Sequence, residues 1–292
     1  MNKAKKLTFV GIAVMLLSVN AAAQRGEHFS ANLWPEGAPV VSNDPNATKE
    51  KGGVIHVFPA DTACNTRRAV ILCPGGGYAR LSMENEGYAW VPFFREQGFT
   101  TIILQYRMPY GNPAIPKSDL EQAMRKARLH ASEWGFNAHE VGVMGFSAGG
   151  HLASTLTVTA DSLLRPAFSV LFYPVISMSE EFAHKRSHDC LLTDGASAEV
   201  NALFSSEQHV TEQTPPTFIA LSNDDRTVHP RNGVSFYLAM LRANRPASLH
   251  VYPTGRHGWG FRDTFPYHHQ VTEELKVWLQ HQKQNKKQLK DH

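Results

Sequence analysis

The chain has 292 residues, with 29 Lys and Arg against 26 Asp and Glu, 42% apolar residues, 21 Gly, 17 Pro and 3 Cys. That length holds one large α/β domain or two small ones, and the composition excludes disorder, a collagen-like repeat and a disulfide-stapled mini-fold. The formal charge of +3 invites a nucleic-acid or membrane partner, but its distribution along the chain argues against both.

Lys3, Lys5 and Lys6 precede an apolar run over 7–19 and then Ala21-Ala22-Ala23, the three-part layout of a secretory leader cleaved after Ala23. The run is shorter than the ~20 residues of a membrane-spanning helix. Residue 24 is Gln, so there is no cysteine to lipidate. The expectation is an exported protein, periplasmic or secreted, with no membrane association after cleavage. Cleavage removes three lysines and no acid, which leaves the mature chain formally neutral. Lys276, Lys283, Lys286, Lys287 and Lys290 fall in the last helix and a basic tail over 283–292, so no nucleic-acid partner is expected.

Residues 24–53 are rich in Asn, Pro and Gly without periodicity and read as an irregular lead-in to a domain over 54–282. Strands are predicted at 54–58, 69–73, 100–106, 140–146, 168–173, 217–221 and 248–252. Helices are predicted at 86–97, with Pro92 as a kink or a start, at 118–134, from His151 onward, at 230–243 and at 267–282. This alternation gives an α/β class with a mostly parallel central sheet and helices on both faces. Residues 174–213 break the rhythm and read as a small insertion over the sheet.

Cys64, Cys73 and Cys190 are an odd, irregular set. Disulfides therefore do not hold the fold, Cys64 with Cys190 is the most plausible pair, and Cys73 reads as a buried hydrophobe. No His-Glu-x-x-His or paired-cysteine spacing points to a metal, and no cofactor motif is found.

Gly145-Phe146-Ser147-Ala148-Gly149 fits a nucleophile elbow between a strand and a helix, where small flanking residues allow a tight turn and the helix start faces an incoming carbonyl. Cys73-Pro74-Gly75-Gly76-Gly77-Tyr78 follows an earlier buried strand. There, absent side chains let the amides of Gly76 and Gly77, with Ala148, meet an oxyanion, each donor worth on the order of 3 kcal/mol. Thr254-Gly255-Arg256-His257-Gly258-Trp259-Gly260 supplies a histidine that packing does not explain, and His257 is the expected general base. His151, on the helix after Ser147, reads as a packing residue. The acid lies in Asn223-Asp224-Asp225-Arg226-Thr227-Val228, with Asp225 favoured and Asp224 left open. The order Ser147, Asp225, His257 is that of α/β-hydrolases.

Together with Asn85-Glu86-Gly87 and Tyr106-Arg107, these motifs resemble a secreted bacterial α/β-hydrolase of the acetyl-xylan-esterase-like carbohydrate esterase type, near the dienelactone-hydrolase and prolyl-oligopeptidase branches. The resemblance implies a serine esterase that deacylates plant polysaccharides or oligosaccharides such as xylan. Its partner is an acylated carbohydrate; oligomeric state is not implied. A feruloyl-type esterase, a small serine peptidase of the oligopeptidase branch and a non-catalytic binder on the same scaffold are the competing readings. Tyr78 and Trp259 are expected either to meet the substrate, lining the acyl pocket or stacking on a sugar, or to be ordinary core aromatics, and Arg107 is expected to brace the Ser147 turn. Asp119, Arg125 and Arg128 are expected to be surface or loop-pinning charges.

Overall fold

The computed structural model describes residues 27–47, 52–179 and 181–288. The expected leader over 1–23 lies outside the described residues.

One eight-stranded sheet runs through the described chain: β1 (Phe29–Asn32), β2 (Val54–Phe58), β3 (Arg68–Cys73), β4 (Phe99–Gln105), β5 (Val141–Phe146), β6 (Ser169–Phe172), β7 (Thr217–Ser222) and β8 (Ala247–Tyr252). The spatial order is β1-β2-β4-β3-β5-β6-β7-β8. The β1–β2 and β2–β4 pairs are antiparallel and every other pair is parallel. Every residue of β3, β5 and β7 is buried, which requires cover on both faces and explains why these segments read as continuous apolar runs.

The helices are α1 (Met83–Glu86), α2 (Val91–Glu96), α3 (Ala114–Leu129), α4 (Ser147–Thr159), α5 (Lys185–Leu192), α6 (Ala198–Leu203), α7 (Arg231–Arg242) and α8 (His268–Gln288). Pro92 sits in the first turn of α2, where its missing amide costs nothing, so it marks a start rather than a kink. α3 begins four residues before the predicted start. α8 runs past residue 282, so the expected tail is helical as far as Gln288.

The lead-in is more regular than its composition suggests. β1 pairs along β2 from Phe29↔Val57 to Asn32↔Val54, and Phe29 and Leu33 enter the core. Beyond it, Trp34 Nε1 donates to Asp119 Oδ1 at 2.6 Å. Arg107 pairs with the fully buried Asp119 and donates to the Val40 carbonyl at 2.7 Å. Arg107 therefore staples the lead-in to α3 and does not reach the Ser147 turn, which corrects that expectation. Arg125 pairs with Glu121 on the surface of α3, and Arg128 pins the Leu163 and Arg165 carbonyls.

Residues 174–213 carry α5 and α6. The insertion is fastened at its root by Asn232 of α7, whose Oδ1 accepts from the Ile176 and Ser177 amides at 2.9 and 3.1 Å. All three cysteines are free. Cys64 packs beside Gly98, just before β4, whereas the Cys190 carbonyl accepts from Gly111, beyond the other end of β4. A seven-residue strand separates them, so the Cys64–Cys190 pair that the sequence left open is not formed.

Candidate active site

Chain connections reverse direction in the sheet at β3 and β5, and the loops leaving the C-terminal ends of these strands form a crevice, the usual place for a site in an open α/β sheet. Four such loops converge here, after β3, β5, β7 and β8.

Phe146 ends β5 in extended conformation, and Ser147 opens α4 with φ of 52°. A side chain on Gly149 would run into the carbonyl oxygens of Cys73 and Pro74. Glycine there lets α4 press against the end of β3, so the serine and the glycine loop lie side by side. Phe146 is anchored below by Trp90 and Phe172, with ring centroids at 5.7 and 5.6 Å.

The Ser147 hydroxyl lies 2.8 Å from His257 Nε2, and His257 Nδ1 lies 2.6 Å from Asp225 Oδ2. A carboxylate oxygen only accepts, so Nδ1 carries the ring proton and Nε2 is left to accept from serine. The second oxygen of Asp225 accepts the Thr227 and Val228 amides at 2.9 and 3.0 Å. Asp224 faces elsewhere, accepting the Arg256 amide at 2.7 Å. Of the two candidate acids, Asp225 is therefore the one the structure brings to His257.

Gly76 and Gly77 line the cleft beside Ser147 and His257. Gly76 has φ of 135°, and a side chain there would meet the Arg80 carbonyl. Ala148 occupies the second position of α4, where a helix amide has no partner one turn earlier. All three expected oxyanion donors thus border the serine. The Gly75 amide is already committed, donating to Glu86 Oε2 at 2.8 Å.

Sequence reasoning gave Glu86 no role. Its carboxylate is buried behind the glycine loop, and Tyr173 donates to its other oxygen at 2.9 Å. Burial raises its pKa, while the Tyr173 and Gly75 hydrogen bonds and the nearby His257 and Arg262 charges oppose that shift. The Tyr173 oxygen in turn accepts from the Gly260 amide at 2.8 Å, and its ring meets His257 at 4.9 Å. One buried carboxylate thereby links the glycine loop to the histidine loop. The sequence clue was an acid between Asn85 and Gly87 in a segment that otherwise heads into the core.

Tyr78 and Trp259 are core aromatics and not substrate contacts in this structure, 2% and 3% exposed. Tyr78 donates to His151 Nδ1 at 2.9 Å. Trp259 donates to Ser222 Oγ at 3.0 Å and stacks on Phe265. His151 is buried as expected, with Nε2 donating to the Phe204 carbonyl at 2.7 Å, and burial lowers its pKa to about 4. The cleft, about 320 Å³ in volume, is instead completed by Arg80, His184, Arg186, Thr227 and Arg262. Among the described residues, no group of three or more His, Cys, Asp or Glu side chains is placed to hold a metal ion.

Residues 56–240 match the BD-FAE family profile. The chain belongs to the BD-FAE family. This BD-FAE chain is 37% identical over 281 residues to an acetylxylan esterase of Xylanibacter ruminicola, a match covering 94% of the chain and 54% of that relative. It is 28% identical over 248 residues to endo-1,4-beta-xylanase B of Butyrivibrio fibrisolvens, covering 80% of the chain and 38% of that relative. The chain thus spans about half or less of the curated relatives it matches. Among solved structures it superposes on an acetyl ester-xyloside bifunctional hydrolase from Caldicellulosiruptor lactoaceticus with a TM-score of 0.76 at 30% identity, covering 86% of this chain and 95% of the other. Its fold is the α/β-hydrolase fold.

Proposed function

We propose that this BD-FAE chain is a serine carboxylic ester hydrolase that removes acetyl groups from plant polysaccharides or oligosaccharides such as xylan. The hydrogen-bonded line Ser147–His257–Asp225, with spacings of 2.8 and 2.6 Å, is the observation that carries this reading. Ser147 Oγ attacks the ester carbonyl as His257 Nε2 takes its proton, and Asp225 holds the ring and the imidazolium that forms. The amides of Gly76, Gly77 and Ala148 take the oxyanion. Collapse of the tetrahedral intermediate expels the sugar alcohol with the proton from His257 and leaves acetyl-Ser147. Water activated by the same histidine then releases acetate.

The acetylxylan esterase and acetyl ester-xyloside hydrolase among the relatives support the substrate class. We further propose export, from the leader pattern over 1–23, testable by N-terminal sequencing of the mature protein. The main experiment measures acetate release from acetylated xylo-oligosaccharides by the wild type and by Ser147→Ala. Release that Ser147→Ala abolishes supports the reading, and release by Ser147→Ala near the wild-type rate overturns it. Ferulate release exceeding acetate release would move the acyl specificity to the feruloyl class. Cleavage of chromogenic dipeptides without acetate release would move the chain to the peptidases.

A further inference from the structure

We propose that the cleft over Ser147 contains a carboxylate-binding subsite, and that its preferred substrate is an acylated oligosaccharide carrying a uronic acid close to the ester. This inference rests on the esterase reading above and names the substrate class within it. Three arginines reach the same cleft from three separate segments. Arg80 leaves the far end of the glycine loop, where Ser82 N bonds back to the Gly75 carbonyl at 2.9 Å. Arg186 comes from α5 of the insertion, and its Cδ passes 3.5 Å from where a side chain on Gly77 would begin. Arg262 follows Gly260, whose amide is tied to Tyr173.

All three side chains belong to exposed residues. Among the described residues none of the three is in an ion pair. Among the described residues Glu86 is the one carboxylate lining this cleft, and its oxygens are already taken by Gly75 and Tyr173. On the other side of His257, a second hollow carries Arg226 and Arg256 against Asp224. Three arginines and His184 thus line the cleft that holds Ser147, and Arg226 and Arg256 line the neighbouring hollow beside Asp224.

Like charges gathered at a cleft repel one another until an anion arrives. A guanidinium fork matches a carboxylate in shape and in donor spacing. A neutral oligosaccharide offers no such counter-charge, and a uronate on the acylated chain does. Charge complementarity of this kind raises the encounter rate and sets specificity, and it weakens with salt.

The test compares kcat/KM for acetate release from an acetylated xylo-oligosaccharide bearing a glucuronic acid branch with that from its carboxyl-reduced counterpart. A hemisuccinate of the unbranched xylo-oligosaccharide, which carries its carboxylate on the acyl group and is followed by succinate release, is the third substrate. The expected result is about tenfold preference for the uronate substrate at low ionic strength, falling to about twofold at high salt. The R80Q/R186Q/R262Q variant should bring the uronate-to-reduced ratio close to one, the ratio within the one protein serving as its control for folding. Equal rates on the uronate and reduced substrates in the wild type would overturn the subsite. So would preference for the hemisuccinate alone, or a ratio unchanged in the triple variant. Release from none of the three would instead refute the esterase reading and remove this inference with it.

Discussion

Tyr173 donates its hydroxyl hydrogen to Glu86 Oε1 at 2.9 Å, and this contact ties the strand-end loop after β6 to α1, whose Glu86 also holds the glycine loop after β3 through the Gly75 amide. Substituting Glu86→Ala leaves the Gly75 amide and the Tyr173 hydroxyl without their acceptor in a buried place, which costs about 1–3 kcal/mol for each group. The expected outcome is a clear loss of stability in urea unfolding, and a fall in kcat of at least tenfold as the oxyanion amides lose their register. Glu86→Gln keeps an acceptor oxygen and should fold closer to the wild type. Burial raises the Glu86 pKa above the ordinary carboxylate value, so the folded state holds this proton more tightly than the unfolded chain. Its contribution to stability is present below the ordinary value and is lost as pH rises through the raised one. Glu86→Gln should abolish that part of the pH dependence.

The two neighbouring aspartates separate cleanly by substitution. Asp225→Asn removes the acceptor that fixes the His257 tautomer and should lower kcat by about 10³–10⁴-fold with the fold intact. Asp224→Asn disturbs only the Arg256 amide contact and should cost less than about tenfold. Steady-state kinetics on an activated acetate ester would decide it. Comparable losses in both variants would overturn the assignment of Asp225.

His151 should mark itself in acid. Burial holds its pKa at about 4, against the ordinary 6.5, so the unfolded chain binds a proton that the folded chain refuses. A depressed histidine pKa gives stability that is present above the ordinary value and is lost as pH falls toward the folded one. The expected loss from this residue is about 2 kcal/mol between pH 7 and pH 5. Urea unfolding of the wild type and His151→Gln at both pH values isolates the contribution, because the other histidines are common to both proteins. Parallel losses in the two proteins would refute it.

Asp119 is fully buried, with Arg107, the Arg107 amide and Trp34 Nε1 all donating to it. Removing one partner of such a pair strands the other charge, and Asp119→Ala should destabilise the chain by about 3–5 kcal/mol. Limited proteolysis should then cut first within residues 33–47, which this staple holds down.

Most of the sheet and the hydrogen-bonded Ser147, His257 and Asp225 were legible in the sequence because each is specified locally. Apolar runs ended by glycines marked β3 and β5, and the Asp-x-x-Val spacing singled out Asp225 because its carboxylate caps the very turn that carries it. β1 was not legible, since four residues beside a Pro- and Gly-rich stretch become a strand only when β2 supplies the partner. Tyr78 and Trp259 stayed open for a related reason: a loop position does not reveal whether an aromatic ring turns into the cleft or into the core. Arg186 and His184 reach the site only through the tertiary placement of the insertion, which has no periodicity to betray it. Glu86 was visible as a residue and not as a role, because the groups it joins lie 11 and 87 positions away.

The close approach at Gly149 welds α4 to the end of β3, so Ser147 and the glycine loop shift together or not at all. Arg186, by contrast, rides on a helix inserted between β6 and β7 that shares no strand with Ser147. Under the proposed function, the reacting serine and the arginine subsite sit on parts of the chain that are held to the sheet very differently. Under that proposal, a change confined to the inserted helices would alter which decorated sugar is held without touching the Ser147–His257–Asp225 line.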